Sequence, residues 1–349
     1  MTLGRYWIPV FCSLMSLVGG NTIDANGQSA AAGAARHVSA ARAVAYKPGH
    51  DFTWVFTQNC TEPAPGTTEP RRGPAPTPRV ASIPPRSEWL REPAKVFDNL
   101  YYVGTQLQSM WAVTTSEGII LHDTAYDYMI RDAVDSGFKK LGLDPKQIKY
   151  VIVAHAHTDH YLGAKYLQDT YGARIIMSEA DWNFMPKDFE EKSKTADARM
   201  PRKDMVATDG MKLTLGDTTL TLYVTPGHTP GTISTLVPVK DGNQRHLASI
   251  WGGSGVPPGE LLMAFPTYEV ATSTYAASAK RYRDIVSKAG ADVYLSSHTV
   301  HDRTLNKLNA LQFRNPGDPH PFVSKEAVMR HLTLVQECAE AQAAWASGG

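Results

Sequence analysis

The chain alternates short β-branched and aromatic runs with longer segments in which apolar residues recur at helical spacing. Four of the short runs lie between Lys95 and Asp123 and are separated by Asn, Gly and Ser-Glu-Gly turns, which predicts a meander of strands. Beyond them, helical and extended segments alternate as far as the carboxyl terminus. This alternation is typical of an α/β layered fold.

The later elements follow from the same two periodicities. Helices are predicted at 127–141, 163–170, 270–288 and 325–344, with a further one starting at Ser178, which Asp181 follows three residues on as in a capped helix start. Strands are predicted at 150–153, 174–177, 211–215, 220–224, 234–239, 247–251 and 292–295. Gly216-Asp217 separates two of these strands as a hairpin turn would. Gly290 is a plausible stop for the helix that precedes the last strand.

The first twenty residues have the layout of a secretory signal. Arg5 precedes an apolar run from Tyr6 to Val18, and two glycines supply small residues for cleavage. The run is too short to span a bilayer. We therefore expect a signal peptide at 1–20 and a periplasmic or secreted protein. The alternative is an uncleaved, disordered apolar tail.

An amino-terminal extension is expected at 21–88, ahead of a catalytic domain at 89–349. Residues 21–42 are rich in Ala, Gly, Ser and Gln and predict a linker. Residues 52–56 are apolar enough to dock on the domain. Eight of the chain's 23 prolines lie between Thr61 and Arg86, which predicts an extended polyproline-like or disordered segment.

Composition narrows the class of partner. The 349 residues are 42% hydrophobic with 35 Lys+Arg against 34 Asp+Glu, as in a soluble globular protein. This balance offers no electrostatic basis for binding nucleic acid. We expect a small-molecule substrate and no membrane span, and the sequence does not indicate an oligomeric state.

Candidate chemistry is concentrated where the strand at 150–153 ends. His155, His157, Asp159 and His160 follow one another within six residues. Imidazole and carboxylate suit Zn²⁺, and one catalytic zinc needs only about three protein ligands. The cluster therefore predicts halves of two neighbouring sites, with His155 and His157 facing one way and Asp159 and His160 the other. A polar loop with chance histidines is the alternative.

The pattern His-x-His-x-Asp-His after a hydrophobic strand resembles the metallo-β-lactamase superfamily. Three further features fit that pattern in order: 118–123 before the loop, 225–231 around His228, and the strand that ends at His298. The resemblance covers roughly 89–344 and implies an αββα four-layer sandwich, with the metals at one edge of two facing sheets.

The resemblance implies two zinc ions in one centre. One ion would take His155, His157 and His228, and the other Asp159, His160 and His298; both leave room for a shared water. A metal-bound hydroxide would attack a carbonyl, with Asp159 as the catalytic group that orients it and passes on its proton. His301 competes with His298 for the last position, and we assign His298 because it stands where the strand ends.

One departure points to a subclass. Thioesterases, lactonases and phosphodiesterases of this fold carry a metal-bridging aspartate on a strand that here corresponds to 247–255, which has no acid. The pattern thus resembles the subclass B3 metallo-β-lactamases, which are exported and lack a bridging carboxylate. Residues 172–181 also resemble that subclass, whereas Thr158 and the long extension are less usual for it. We therefore expect β-lactam ring opening.

Other functions stay open. A lactone, thioester or other ester hydrolase is the main alternative, with Glu260 in place of the bridge. Neutral charge and the expected signal disfavour a nuclease, and a flavo-diiron oxidoreductase would need glutamate at His157. A non-catalytic metal-binding module would be expected to lack ligands.

Three smaller expectations concern individual residues. Asp123 is either a turn residue or a carboxylate that orients a ligand histidine. The glycines at 252–255 lack the spacing and the lysine of a phosphate loop and should allow close backbone approach at the rim of the site. Cys60 and Cys338 would remain after signal removal, and we hypothesise a disulfide between them; two free thiols are the alternative.

Overall fold

The computed structural model describes residues 25–69, 83–193, 195, 197–253 and 255–348, except for the side chains of residues 25–27, 259 and 260. The predicted signal at 1–20 lies outside the described residues, as do residues 70–82 of the proline-rich segment. In the described part of the chain, no helix is long and apolar enough to cross a membrane.

Twelve strands form two sheets within this part of the chain. The seven-stranded sheet runs in the order β1 to β7, with bounds Ala94–Phe97, Leu100–Tyr102, Trp111–Thr115, Gly118–His122, Ile148–Ile152, Arg174–Ser178 and Met205–Ala207. β1 to β4 pair antiparallel, which confirms the predicted meander, and β4 to β7 pair parallel.

The five-stranded sheet has the order β12-β11-β10-β9-β8. Its strands, from β8 to β12, are Met211–Leu215, Thr218–Val224, Ile233–Asp241, Gln244–Trp251 and Val293–Ser296. β8 to β11 form antiparallel pairs, and β11 pairs in parallel with β12. The turn at Gly216 and Asp217 joins β8 to β9, as the hairpin pattern predicts.

Twelve α-helices complete the described chain. They are α1 Ala25–Ala45, α2 Thr53–Asn59, α3 Arg86–Trp89, α4 Gly137–Leu141, α5 Thr158–Tyr161, α6 Ala164–Tyr171, α7 Glu179–Lys192, α8 Pro258–Ala264, α9 Tyr268–Ala289, α10 Thr299–Asp302, α11 Thr304–Leu311 and α12 Lys325–Ser347. A π-helical segment, Asp132–Ser136, leads into α4, and a short 3₁₀ turn covers Pro145–Gln147. The helix predicted at 127–141 therefore begins later and is not a uniform α-helix.

Three apolar cores separate four layers. One core fills the space between the two sheets and includes Trp111, Ile152 and Leu220. A second packs helices such as α4 and α6 on the seven-stranded sheet. A third packs α9 and α12 on the five-stranded sheet. Each strand can bury both faces because each sheet is covered twice, and the predicted αββα sandwich is confirmed.

The extension differs from its prediction. Residues 21–42 were expected to be a linker, but α1 packs along α12, and Ala34, Ala41 and Ala45 are buried. Small alanine side chains let two helices approach closely, so this composition builds an interface that local hydrophobicity does not reveal. α2 buries Val55 and Phe56, which confirms that 52–56 docks on the domain.

A disulfide fastens the extension to the last helix. Cys60, just after α2, is bonded to Cys338 in α12, and 278 residues separate them in sequence. Gln342 adds hydrogen bonds of 2.8 and 2.7 Å to the carbonyl oxygens of Asn59 and Thr61. The hypothesised pairing of Cys60 with Cys338 is confirmed.

Candidate metal centre

The candidate site forms where strand ends from both sheets meet. β4 is parallel to β5 and β11 is parallel to β12, so in each sheet the two carboxyl ends lie at the same edge. The two sheets are joined there by a hydrogen bond of 2.7 Å from Ile233 N–H to the carbonyl of Ala154. Loops after these strands therefore converge on one place.

The structure brings the six sequence-predicted donors together in two groups. Each group offers ligand atoms that all lie within 4.8 Å of one another; the groups are His155, His157 and His228, and Asp159, His160 and His298. The rings of His155 and His160 lie 4.0 Å apart, so the two groups adjoin. For the four donors of the loop, this is the predicted division, with His155 and His157 in one group and Asp159 and His160 in the other.

Backbone carbonyls orient two histidines of the first group. The Nδ1 atoms of His155 and His228 lie 2.7 Å from the carbonyl oxygens of Gly252 and Gly255, respectively. A carbonyl only accepts, so each Nδ1 carries the proton and each Nε2 keeps its lone pair. The Nε2 of His155 is buried without a hydrogen-bond partner in the described chain, as expected for an atom that binds a metal.

Asp123 orients the second group. Its Oδ2 lies 3.1 Å from Nδ1 of His160, and its Oδ1 accepts a 2.8 Å hydrogen bond from the backbone of Ala154. This arrangement leaves the Nε2 of His160 facing the Nε2 of His298, 3.1 Å away. The interpretation of Asp123 as an orienting carboxylate is confirmed, although it also turns the chain, with φ of 64°.

Burial and charge set the proton affinities of these groups. Burial, together with the other histidines, holds the pKa of His155 and of His157 well below the ordinary value. Burial also lowers the pKa of His298 to about 4. For His160 burial acts in the same direction, but Asp159 and Asp123 outweigh it and raise the pKa to about 9. Neutral imidazole is the form that binds metals, so His155, His157 and His298 are already in that form at pH 7, whereas His160 would release a proton on binding.

At Gly252 and Gly253, where β11 ends, there is no room for an acidic side chain. A Cβ on Gly252 would lie 1.9 Å from the carbonyl oxygen of Ile233, and one on Gly253 would lie 2.4 Å from the Cβ of His228. These contacts confirm that the glycines serve close approach at the site. The side chain of Glu260, the alternative bridging residue, lies outside the described residues.

Asp181 is a functional residue that the sequence did not identify. Fully buried, it accepts hydrogen bonds from Ala156 N–H, Thr229 Oγ1 and Gly231 N–H, at 2.9, 2.7 and 2.7 Å. Burial raises its pKa to about 6, and the three donors oppose this rise. The local sequence indicated only a residue in the first turn of α7, and Ser178 does cap that helix at Asp181 N–H.

α7 forms one wall of the site. The ring of Phe184 lies 6.4 Å from that of His157, and the hydroxyl of Tyr161 donates to Asp188 over 3.3 Å. Lys192 lies 3.3 Å from Asp188, one turn further along the helix. Residues 186–192 are therefore partly buried beside the metal loop.

His301 does not join either donor group. Its ring centroid lies 5.7 Å from that of His298 and 4.9 Å from the indole of Trp54. It is buried in α10, one turn beyond His298. The structure thus places His301 in the wall behind the second group.

The donor set fits Zn²⁺. Five imidazoles and one carboxylate, in two groups of three, match the ligand types and the number of protein ligands that catalytic zinc takes. Asp159 is 18% exposed and His298 19%, so the second group faces solvent while the first is nearly buried. A small molecule can reach the site from the side of Asp159 and His298.

Comparison with known proteins agrees with this geometry. The family model of the metallo-beta-lactamase superfamily matches residues 103–242, which contain five of the six donors. Two curated relatives are hydroxyacylglutathione hydrolases, from Acidiphilium cryptum at 32% identity over 90 residues and Brucella anthropi at 25% over 127 residues. These alignments cover 26% and 35% of this chain and span only 31% and 42% of the relatives' lengths.

Solved structures resemble a larger share of the chain. The native FEZ-1 metallo-β-lactamase from Legionella gormanii is 27% identical with a TM-score of 0.61, and the match covers 70% of this chain and 92% of that one. BJP-1, a subclass B3 metallo-β-lactamase of Bradyrhizobium japonicum, is 28% identical with a TM-score of 0.58 and coverage of 71% and 92%. Residues 103–242 therefore match the metallo-β-lactamase superfamily, and subclass B3 metallo-β-lactamases are among the structural neighbours of the chain.

Proposed function

We propose that this protein is a di-zinc hydrolase that opens β-lactam rings. The observation that carries the proposal is the crowded glycine end of β11. Gly252 and Gly253 lie against Ile233 and His228 so closely that no acidic side chain fits there. The two donor groups would then hold their ions through six terminal ligands alone.

The lack of a bridging carboxylate among the described side chains favours difficult leaving groups. Zinc held by the two donor groups would polarise a carbonyl oxygen and would supply a bound water with a pKa near 7. With one negative ligand fewer, a zinc pair held here would be the stronger Lewis acid, which would favour amides over the easier esters and thioesters. The β-lactam nitrogen leaves as a poor, developing anion that such a centre stabilises.

The chain's own residues supply orientation and proton transfer. The Oδ2 of Asp159 lies 3.4 Å from Nε2 of His298 and 3.6 Å from Nε2 of His160, at the open side of the site. A carboxylate there can accept a proton from a reacting water and donate it to the leaving nitrogen. Asp123 and the carbonyls of Gly252 and Gly255 keep three imidazoles in the metal-binding tautomer.

The second candidate function is thioester hydrolysis. The match to two hydroxyacylglutathione hydrolases favours it, although the match is confined to part of each relative. Lactones and other esters belong to the same class of easier leaving groups. The two functions differ in whether an amide or an ester is cleaved faster.

A substrate panel tests the proposal. Purified protein loaded with zinc should hydrolyse at least one penicillin, cephalosporin or carbapenem faster than S-lactoylglutathione and acyl-lactones. Chelation should abolish the activity, and an inhibitor that acylates serine should not affect it. Thioester or lactone turnover well above that of every β-lactam would replace this proposal with the ester-hydrolase alternative.

Metal analysis tests the two-zinc centre separately. Intact protein should bind two equivalents. His228→Ala should preferentially empty the first group and Asp159→Ala the second, because each removes one of three ligands. His37→Ala, on α1, is the control and should keep both. One equivalent in the intact protein at saturating zinc would refute the scheme.

We also propose that the protein works outside the cytoplasm. The Cys60–Cys338 disulfide supports an oxidising compartment, and the first twenty residues have the layout of a signal. Fractionation of cells that express the full chain should find a shortened protein in the periplasm or medium. Full-length protein confined to the cytoplasm would contradict export.

A further inference from the structure

The extension reaches the second donor group through a line of ring contacts. The indole of Trp54, in α2, is edge-on to the ring of His301 at 4.9 Å, and His301 lies 5.7 Å from His298. The Nε2 of His298 in turn lies 3.4 Å from Asp159. Trp54 lies outside the 103–242 family match and within the extension, which the sequence did not connect with chemistry.

α10 needs support from its surroundings. It is a single turn, Thr299–Asp302, and one turn of helix has too few internal hydrogen bonds to be stable alone. Its start is fixed to the catalytic domain, because Thr299 N–H and Oγ1 donate to the carbonyls of Leu107 and Gln106 at 2.8 and 2.7 Å. His298 is the N-cap of this turn, so any tilt of the turn moves the donor.

The other end of α10 is held by two groups: Asp302 pairs with Lys307 of α11 at 3.1 Å, and the extension makes two further contacts. Trp54 packs on His301, whose Nδ1 is buried without a hydrogen-bond partner in the described chain, so packing holds this ring. Arg303 follows α10 in the left-handed region, with φ of 58°, and forms an ion pair with Asp51 of the extension.

The extension is firmly anchored behind these contacts. The disulfide ties the end of α2 to α12. The guanidinium of Arg330 donates to four carbonyl oxygens after and within the last turn of α1, those of Val44, Lys47, Pro48 and His50. His50 also contacts Ser324 Oγ at 2.8 Å. The disulfide and these hydrogen bonds therefore fix the position of α2, from which Trp54 contacts His301 of α10.

We propose that Trp54 is a positioning residue for His298, and that the disulfide-tied extension completes the second zinc half-site. The inference rests on the two-zinc centre proposed above. Gly252, Gly255 and Asp181 orient the first group, and all three belong to the catalytic domain. Loss of the Trp54 contact weakens the second zinc selectively.

Zinc affinity measured in two steps tests this proposal. In the full chain, Trp54→Ala should weaken the second step about tenfold or more, the usual effect of removing a group that orients a ligand, and leave the first step unchanged. Trp54→Phe retains an aromatic ring and should restore most of the loss. Tyr46→Ala is the matched control: Tyr46 is a 49% exposed aromatic of the same extension that packs on Phe56.

Hydrogen exchange on the zinc-free protein gives a second readout. Amides of residues 299–303 should exchange faster in Trp54→Ala than in the parent or in Tyr46→Ala, while amides of 155–160 should not change. Equal weakening of both zinc steps, or no change in the second step and in exchange, would overturn the positioning role. A parent protein that binds only one zinc would instead overturn the proposed function on which this role rests.

Discussion

Asp181 accepts a hydrogen bond from the backbone N–H of Gly231 at 2.7 Å. Its other oxygen accepts from the backbone of Ala156 at 2.9 Å, between His155 and His157. One buried carboxylate thus joins the loop after β5 to the loop that carries His228. The spacing of the first donor group depends on this bridge between two sheets.

Asp181→Asn should destabilise the protein and weaken the first zinc. An amide has a single acceptor oxygen, so its NH₂ would face one of the backbone N–H groups and leave that group unpaired. The expected cost is about 1–3 kcal/mol of unfolding free energy, and first-step zinc affinity should fall by roughly 10-fold to 100-fold. Urea unfolding of the zinc-free protein and zinc titration measure the two effects. Asp284→Asn, at an exposed position of α9, serves as control, and equal behaviour of the two variants would contradict the bridge.

Gly253→Ala should displace His228. The added Cβ would lie 2.4 Å from the Cβ of His228, a contact that neither atom can avoid by side-chain rotation alone. We expect first-step zinc affinity to fall by at least about tenfold, with the second step much less affected. Gly137→Ala is the control, because its nearest contact would be an ordinary 3.7 Å. Unchanged zinc binding in Gly253→Ala would show that the loop at 252–255 yields to the new methyl group.

Loss of the disulfide should lower stability. The bond closes a loop of 278 residues, and removal of a native disulfide typically costs about 2–5 kcal/mol. Cys60→Ser with Cys338→Ser should therefore shift the urea midpoint downwards. Non-reduced parent protein should show no reactive thiol from these two positions. If both titrate as free thiols in folded, exported protein, the pairing is wrong.

Acid should destabilise the protein through His331. Burial and the nearby Lys307 lower the pKa of His331 to about 3, from 6.5 as the ordinary value. The unfolded chain binds this proton below about pH 6.5 but the folded chain does not, so stability is complete above 6.5 and is lost as the pH falls towards 3. The slope is about 1.4 kcal/mol per pH unit at most.

His331→Phe should remove that part of the acid dependence. The ring stacks on Tyr294 at 4.4 Å, and phenylalanine preserves a flat aromatic ring there. The unfolding free energies of the chelator-treated parent and variant are compared between pH 7 and pH 4. The slope of free energy against pH counts the protons taken up on unfolding, and the variant should take up nearly one proton fewer. Parallel slopes would mean that His331 titrates alike in the folded and unfolded states.

Local order along the chain made much of this site predictable. His155, His157, Asp159 and His160 adjoin in sequence, so any strand that ends at Ile152 must bring them to one loop. Four donors are more than one catalytic zinc takes from one loop, which predicted two half-sites. The layered αββα fold and the hairpin at Gly216 likewise follow from periodicity and turn residues. His228 and His298 entered through a family resemblance, since nothing local relates them to that loop.

Only the tertiary structure decided which distant groups support the site. Asp181 resembles any first-turn helix residue until its partners Ala156 and Gly231 are placed beside it. The alanines of α1 suggested a linker because alanine is only weakly hydrophobic. They stabilise the fold by close packing against α12, which is about 300 residues away in sequence. Trp54 meets His301 for the same reason. Periodicity and turn chemistry act between near neighbours and can be recognised locally, whereas hydrogen bonds and packing between remote segments depend on where the folded chain places them.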